Sequence, residues 1–250
     1  MSNLRKLLLG ASLALARASA AFAEPAATAQ HVTVFAAASL TSAFRQIAAD
    51  FEGKNPGVSV ELNFGGSPTL VKQIQEGAQA DAFAAADEAN MQKIVDAKLA
   101  VGEPQIFARN RLTIVVQKGN PKKIASLADL AKPGLAIALG APGVPAGRYA
   151  REAFAKAGVA VPESSQELDV KAVLQKVALG EADAGIVYVT DVAGAEVDAV
   201  AIPDEVNVVG KYPVAVLKEG TNRAGGEAFV RCVLSAEGQR VLTKAGFLLP

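Results

Sequence analysis

Among 250 residues there is one cysteine, one histidine and no tryptophan, and neither sign of charge is in excess, with 25 basic residues against 25 acidic ones. Each scarcity closes a class of function. Cys232 alone cannot build a disulfide framework, and with His31 as the sole histidine no Cys/His metal site can be assembled. A protein that neutralises nucleic-acid phosphates carries a basic surplus, which is missing here, so nucleic acid is not an expected partner. Disorder is excluded from the other side, because 51% of the residues are apolar and Val, Ile and Leu are plentiful even after the abundant Ala is discounted. A chain of this length buries a real core as one large domain or as two of about 100 residues each.

Long hydrophobic runs are also scarce. The run from Leu7 to Ala16 follows Arg5 and Lys6, is too short to span a bilayer as an anchor, and is followed by the small-x-small cleavage signal Ala21-Phe22-Ala23. Residues 1–23 therefore read as a secretory signal peptide, with Arg17 an unusual interruption. No cysteine lies near it, so a lipid anchor is not expected. Removing it lowers 25 cations to 22 against 25 anions, a net charge of −3, so any anion site must work through local groups and not a global field.

From Val32 onward, short apolar runs alternate with helical patterns, the signature of α/β architecture with mostly parallel strands. Strands are predicted at Val32 to Ala36, Val58 to Phe64, Ala82 to Ala86, Leu112 to Gln117, Leu135 to Leu139, Ala184 to Val189 and Tyr212 to Leu217. Leu40, Phe44, Ile47, Ala48 and Phe51 mark a helix closed by Gly53 and Pro56. Further helices are predicted from Pro145 to Gly158, over Val170 to Leu179, and as one element from Gly226 to Ala245. Two polar stretches, Arg109-Asn110-Arg111 and Gly210-Lys211, fit crossings between two lobes and fit ordinary loops of a single sheet equally well.

Four junctions place a small or hydroxyl residue where the chain enters a helix: Ala38-Ser39-Leu40-Thr41, Gly65-Gly66-Ser67-Pro68-Thr69, Val144-Pro145-Ala146-Gly147 and Leu168-Asp169-Val170. Helix N-termini expose unpaired N–H groups and a partial positive charge, so converging junctions would form an anion cage of neutral donors, to which Ser39, Ser67 and the Tyr188 phenol add hydroxyls. Plainer roles exist for each. Ser39 and Ser67 are good N-cap residues, Gly65-Gly66 suits a turn, and Tyr188 fits a core aromatic with a backbone partner. Asp81, Asp87, Asp183 and Asp191 flank strands as caps or loop residues, Cys232 reads as an inert thiol, and His31 as an exposed residue near the mature terminus.

Val34-Phe35-Ala36-Ala37-Ala38-Ser39-Leu40-Thr41, Phe64-Gly65-Gly66-Ser67-Pro68-Thr69-Leu70, Val144-Pro145-Ala146-Gly147-Arg148-Tyr149-Ala150 and Gly185-Ile186-Val187-Tyr188 occur in that order. With Tyr212-Pro213-Val214-Ala215-Val216 and Gly246-Phe247, this ordered set resembles the periplasmic molybdate-binding proteins of ABC transporters across essentially the whole mature chain. The resemblance implies a type II periplasmic binding-protein fold, with residues 31–109 plus 212–250 in one α/β lobe, 110–211 in the other, and the ligand between them. It implies molybdate or tungstate as ligand, bound by Ser39 and Ser67 through hydroxyl and N–H, by Ala146 and Val170 through N–H, and by Tyr188 through its phenol. Molybdenum would be present only inside the oxyanion, with no protein atom on the metal, no cofactor and no catalytic residue. The implied partners are an ABC permease and its ATPase, and the implied state is a periplasmic, or at least extracytoplasmic, monomer.

The sequence departs from that pattern in two places. Gly140-Ala141-Pro142-Gly143 is a shortened loop where many relatives carry an Asp after the first Gly, and Gly66 and Pro68 replace hydroxyl residues. Two other classes compete. A serine hydrolase on Ser39 or Ser67 lacks a base, a G-x-S-x-G elbow and an S-x-x-K motif, while a carrier of the same fold for another tetrahedral oxyanion, such as sulfate, differs only in its loops.

Overall fold

A computed structural model describes residues 30–250, and the signal-peptide expectation over residues 1–23 lies outside the described residues. The chain runs β1 (Gln30–Ala37), α1 (Thr41–Lys54), β2 (Val58–Gly65), α2 (Ser67–Gln75), β3 (Ala82–Ala84), α3 (Glu88–Asp96) and β4 (Ala100–Asn110). It continues through β5 (Leu112–Gln117), β6 (Ile137–Gly140), α4 (Pro145–Ala157), β7 (Ser165–Glu167), α5 (Val170–Ala178), β8 (Ala184–Tyr188) and β9 (Val197–Ala201), then closes with β10 (Gly210–Leu217), α6 (Arg223–Leu234) and α7 (Ala236–Lys244).

These strands form two five-stranded sheets, ordered β2-β1-β3-β10-β4 and β7-β6-β8-β5-β9. The chain leaves the first sheet at Asn110, enters the second at Leu112, and returns between Ala201 and Gly210. Both sheets follow one plan. In the first, β1 pairs parallel with β2 and β3; in the second, β6 pairs parallel with β7 and β8. The expectation of mostly parallel sheets needs correction, because β10 and β5, the strands that follow each crossing, enter antiparallel to both of their neighbours.

Helices cover both faces of the first sheet. Along β1, Val32, Val34 and Ala36 face Phe44, Ile47, Phe51, Phe229 and Val233 of α1 and α6, while Phe35 faces Leu70, Ile74, Met91 and Ile94 of α2 and α3. A strand buried on both faces reads as a continuous apolar run, which is why β1 was legible. Emptying a position such as Phe44, which is wholly buried, costs about 3–5 kcal/mol. An aromatic series runs from this core toward the second sheet: Phe44 meets Phe107 in a tilted contact at 5.7 Å, and Phe107 meets Tyr212 at 6.3 Å and Tyr212 meets Tyr188 at 5.7 Å edge-to-face, between ring centres.

Several boundaries differ from expectation for local reasons. The predicted helix over Gly226 to Ala245 is two helices, because Ser235 adopts an extended backbone, accepts from Gly238 N at 3.2 Å and donates to Cys232 O at 2.7 Å. A Ser cap competes with helix continuation. Strand β3 stops at Ala84, short of Ala86, and β6 begins at Ile137, not Leu135. Strands β4, β7 and β9 have no counterpart in the pattern reading. β4 tolerates Gly102 and Pro104 because it is an edge strand, and Pro213 sits in interior β10 at a register shift.

Candidate anion-binding site

Six strands end at one cavity. It is lined by Ala37, Ala38 and Ser39 after β1, by Gly65, Gly66 and Ser67 after β2, and by Ala86 beyond β3. From the second sheet come Val144, Pro145 and Ala146 beyond β6, Asp169 and Val170 after β7, and Tyr188 at the end of β8. These are the carboxyl ends of the parallel strands of both sheets, the place where open α/β sheets take ligands. All five residues picked from the strand-end pattern, Ser39, Ser67, Ala146, Val170 and Tyr188, line this cavity together, and each is at most 5% exposed. The cavity is narrow, about 10 Å³, far below the roughly 300–1,000 Å³ of sites for drug-sized organic ligands. A small ligand is therefore favoured.

The donors are local products of chain geometry. Helices α2 and α4 begin at the cavity with N-caps Gly66 and Val144, and the short turn Ala38–Leu40 begins after Ala37; none of the three has a side-chain cap. Their first N–H groups have no intrahelical partner and stay available. Neither Ser39 nor Ser67 is a cap, so the plainer reading of both is overturned. Ser67 Oγ instead accepts from Ala86 N at 3.1 Å, which leaves its own proton to donate. Ser39 Oγ lies 3.0 Å from Tyr212 Oη, and when Tyr212 donates, the Ser39 proton is likewise free. Tyr188 is 1% exposed, and its phenol oxygen has no hydrogen-bond partner among the described residues. A buried hydroxyl without a partner costs about 1–3 kcal/mol and is rare in a site that has no ligand to offer.

Residues 32–248 match the family model described as bacterial extracellular solute-binding protein. The molybdate-binding protein ModA of Mycobacterium tuberculosis is 44% identical over 230 residues, covering 91% of this chain and 88% of that one. The chain belongs to the ModA family. Its two-lobed α/β fold is that of periplasmic binding proteins: the periplasmic molybdate-binding protein of Azotobacter vinelandii superposes with a TM-score of 0.77 at 22% identity, over 88% of this chain and 99% of that one. The sulfate-binding protein SubI of Mycobacterium tuberculosis gives the same TM-score, 0.77, at 20% identity over 87% and 86% of the two chains, so the fold by itself does not choose the anion. As a ModA-family member the protein is a solute carrier and not an enzyme, and the hydrolase alternative falls. Its relatives are named for the solute they bind, and no cofactor enters. Among the described residues no helix is long and apolar enough to cross a membrane.

In this ModA-family site the lining is uncharged except for Asp169, whose Oδ1 caps α5 by accepting from Ala172 N at 2.9 Å. Two fully buried carboxylates stand just behind it, and each has a cation from a helix that starts at the cavity. Asp87 pairs with Arg148 of α4 at 2.8 Å, and Asp191 with Lys171 of α5 at 2.9 Å. Burial, ahead of the influence of Tyr212, holds the Tyr188 phenol well above its usual range, so it remains a protonated donor at any working pH. The cavity therefore offers hydrogen-bond donors with no facing cation.

Sequence reasoning missed several supporting groups. Tyr212 opens the Tyr212-Pro213-Val214 stretch, in which nothing local marks it for a role; it packs on Tyr188 and bonds Ser39. Arg151 donates to both Gly140 O (2.8 Å) and Gly147 O (2.7 Å), fixing the Gly140–Gly143 loop against the start of α4. Gly147 fits that turn because a Cβ there would overlap the Gly140 carbonyl. Of the other singled-out residues, Asp87 caps α3, Asp81 accepts from Thr33 N and Asn222 N, and Asp183 accepts from Ala136 N. His31 is exposed beside Ser59, and the half-buried Cys232 lies on α6 away from the cavity.

Proposed function

We propose that the protein captures molybdate, and tungstate with it, between its two lobes and hands it to the permease and ATPase of an ABC importer. The observation that carries this reading is the donor set: uncapped helix starts, the two serine hydroxyls and an unpartnered buried phenol around one small cavity. In it Ser39 and Ser67 bind through hydroxyl and N–H, Ala146 and Val170 through N–H, and Tyr188 through its phenol. Each bond to a charged oxygen contributes about 1.5–3 kcal/mol, and the absence of a facing cation avoids the cost of burying one. Apart from Asp169, whose carboxylate caps α5, the cage is built of donors and disfavours the proton of hydrogen phosphate, and sulfate is separated from molybdate by its shorter bonds. The naming of the relatives for molybdate supports the larger anion.

In the same reading residues 31–109 plus 212–250 and residues 110–211 move as two bodies about the crossings, closing over the anion and reopening to release it. The carrier is an extracytoplasmic monomer, exported by the peptide in residues 1–23 and not lipid-anchored. The test is a thermal-shift panel of molybdate, tungstate, sulfate, phosphate and chromate on the mature chain. A ligand at about 100 times its Kd adds about 2.7 kcal/mol to folding stability. Molybdate and tungstate are expected to shift the melt and phosphate to leave it unmoved; an equal shift with sulfate at equal concentration removes molybdate as the assigned ligand and keeps an oxyanion carrier.

A further inference from the structure

The two lobes touch at the rim of the cavity through groups that do not line it. Asp87, at the N-cap of α3 in the first lobe, is wholly buried; its Oδ1 accepts from Asn90 N and Asn90 Nδ2, both at 2.9 Å. Its Oδ2 accepts from Arg148 Nη2 of the second lobe at 2.8 Å. Asn90 Nδ2 also reaches Gly143 O of the second lobe at 3.3 Å. Arg148 lies over the Tyr149 ring, 4.5 Å from its centre, which fixes the direction of the guanidinium.

Arg148 sits in the first turn of α4, where a cation is opposed by the helix dipole, and yet its helix start faces the proposed anion. A compensating partner has to come from across the cleft, and Asp87 is that partner. Asp87 in turn follows Ala86 of the cavity lining, so without Arg148 its charge would stand unscreened beside a dianion. Pairing across the cleft therefore favours the closed arrangement and removes a repulsion from the ligand.

We infer that Arg148 and Asp87 form a latch between the lobes that holds the closed, ligand-bound state, with Arg148 a positioning residue that does not touch the anion. The latch rests on the proposed function only for the choice of ligand. A cross-cleft pair made on closure, here the wholly buried Asp87 carboxylate with the Arg148 side chain that stays 41% exposed, acts on dissociation, whereas a rim charge that only steers an ion acts on association and its salt dependence. The two roles are separable.

The experiment measures association and dissociation of ⁹⁹Mo-labelled molybdate, chased with unlabelled molybdate, at low and high salt on the parent, Arg148→Met and Arg148→Lys. Asp87 is left intact because it also caps α3. Arg148→Met is expected to release molybdate about ten-fold faster with association changed less than about two-fold, and Arg148→Lys, which keeps the charge, to recover part of the loss. Unchanged dissociation in Arg148→Met overturns the latch. Slower association that vanishes at high salt, with dissociation unaltered, overturns it too and makes Arg148 a steering charge. If the parent binds sulfate and not molybdate, the functional reading fails, and the same rates with ³⁵S-sulfate decide the latch.

Discussion

Around the cavity the first lobe sets two hydroxyls, Ser39 and Ser67, each tied by a hydrogen bond to a neighbouring group and standing on an uncapped turn or helix start, whereas the second sets helix-start N–H groups at Ala146 and Val170 with no hydroxyl of their own, and one phenol tied to nothing. The charges are unequal as well. The second lobe brings Arg148 and Lys171 on the helices that meet the cavity, together with Asp169 in the lining and Asp191 behind it, and the first brings the Asp87 carboxylate to the rim. Hydroxyl donors can be deleted one at a time, but a backbone donor can be defeated only by what its side chain adds. The lobes therefore respond differently to substitution, and that contrast is open to test.

The largest effect is expected at Ala146, whose side chain has no task except to remain small in a position 1% exposed. Ala146→Asp places a carboxylate against a bound dianion in a water-poor cleft and should weaken molybdate binding by a factor of at least about 100, since like charges at close range in low dielectric repel strongly. In the open arrangement the same Asp complements the α4 dipole, so folding survives. Ala146→Gly should bind nearly as the parent. Calorimetric titration and thermal melts of both variants check this, and an Asp variant that binds normally separates the start of α4 from the anion.

A sharper comparison takes one hydroxyl from each lobe. Ser67→Ala removes a ligand donor and also the acceptor of the buried Ala86 N–H, so both affinity and ligand-free stability should fall, each by about 1–3 kcal/mol. Tyr188→Phe removes a hydroxyl that has no protein partner, so affinity should fall by about 1.5–3 kcal/mol while ligand-free stability holds or rises. Urea melts and titrations on the pair give four numbers. Equal loss of stability in both would mean that the Tyr188 phenol is held by the fold and does not await a ligand.

Why the residues lining the cavity are legible in the sequence and their supports are not follows from range. Gly65-Gly66-Ser67-Pro68 or Val144-Pro145-Ala146 announces a strand end and a helix start within a few residues, and the chemistry of a helix N-terminus needs nothing more. The supports act across the chain: Ser39 and Tyr212 are 173 positions apart, and Arg148 and Asp87 are 61 apart, so no local spacing reveals them. β4 escaped for a different reason, since its Gly102-Glu103-Pro104 stretch breaks strand patterning and is tolerated only at a sheet edge. Ser235 shows the reverse failure, because the apolar periodicity of Phe229, Val233 and Val241 continues across a cap that ends one helix and begins another.

The smallest effect probes the second lobe's own charge balance at Asp191. Burial raises its pKa above the ordinary carboxylate range, although the Lys171 cation and the Tyr188 N–H, which donates to Oδ2 at 3.1 Å, pull the other way. The native state then holds this proton to higher pH than the unfolded chain, whose aspartates titrate near about 3.9. The group's contribution to stability is therefore most favourable below that value and declines as pH rises through the raised native pKa, above which the buried carboxylate is a constant cost. Asp191→Asn keeps an oxygen to accept from Tyr188 N and leaves Lys171, whose side chain is 37% exposed, free to be solvated. The variant should melt slightly higher than the parent at pH 7.5, with the difference closing by pH 3.5, and should bind molybdate at least as tightly because a negative charge near the anion is gone. Thermal melts across that range decide it: a variant less stable at pH 7.5 shows that the ion pair with Lys171 outweighs the desolvation of its carboxylate, and that this lobe is held together by the same charges that it keeps away from the ligand.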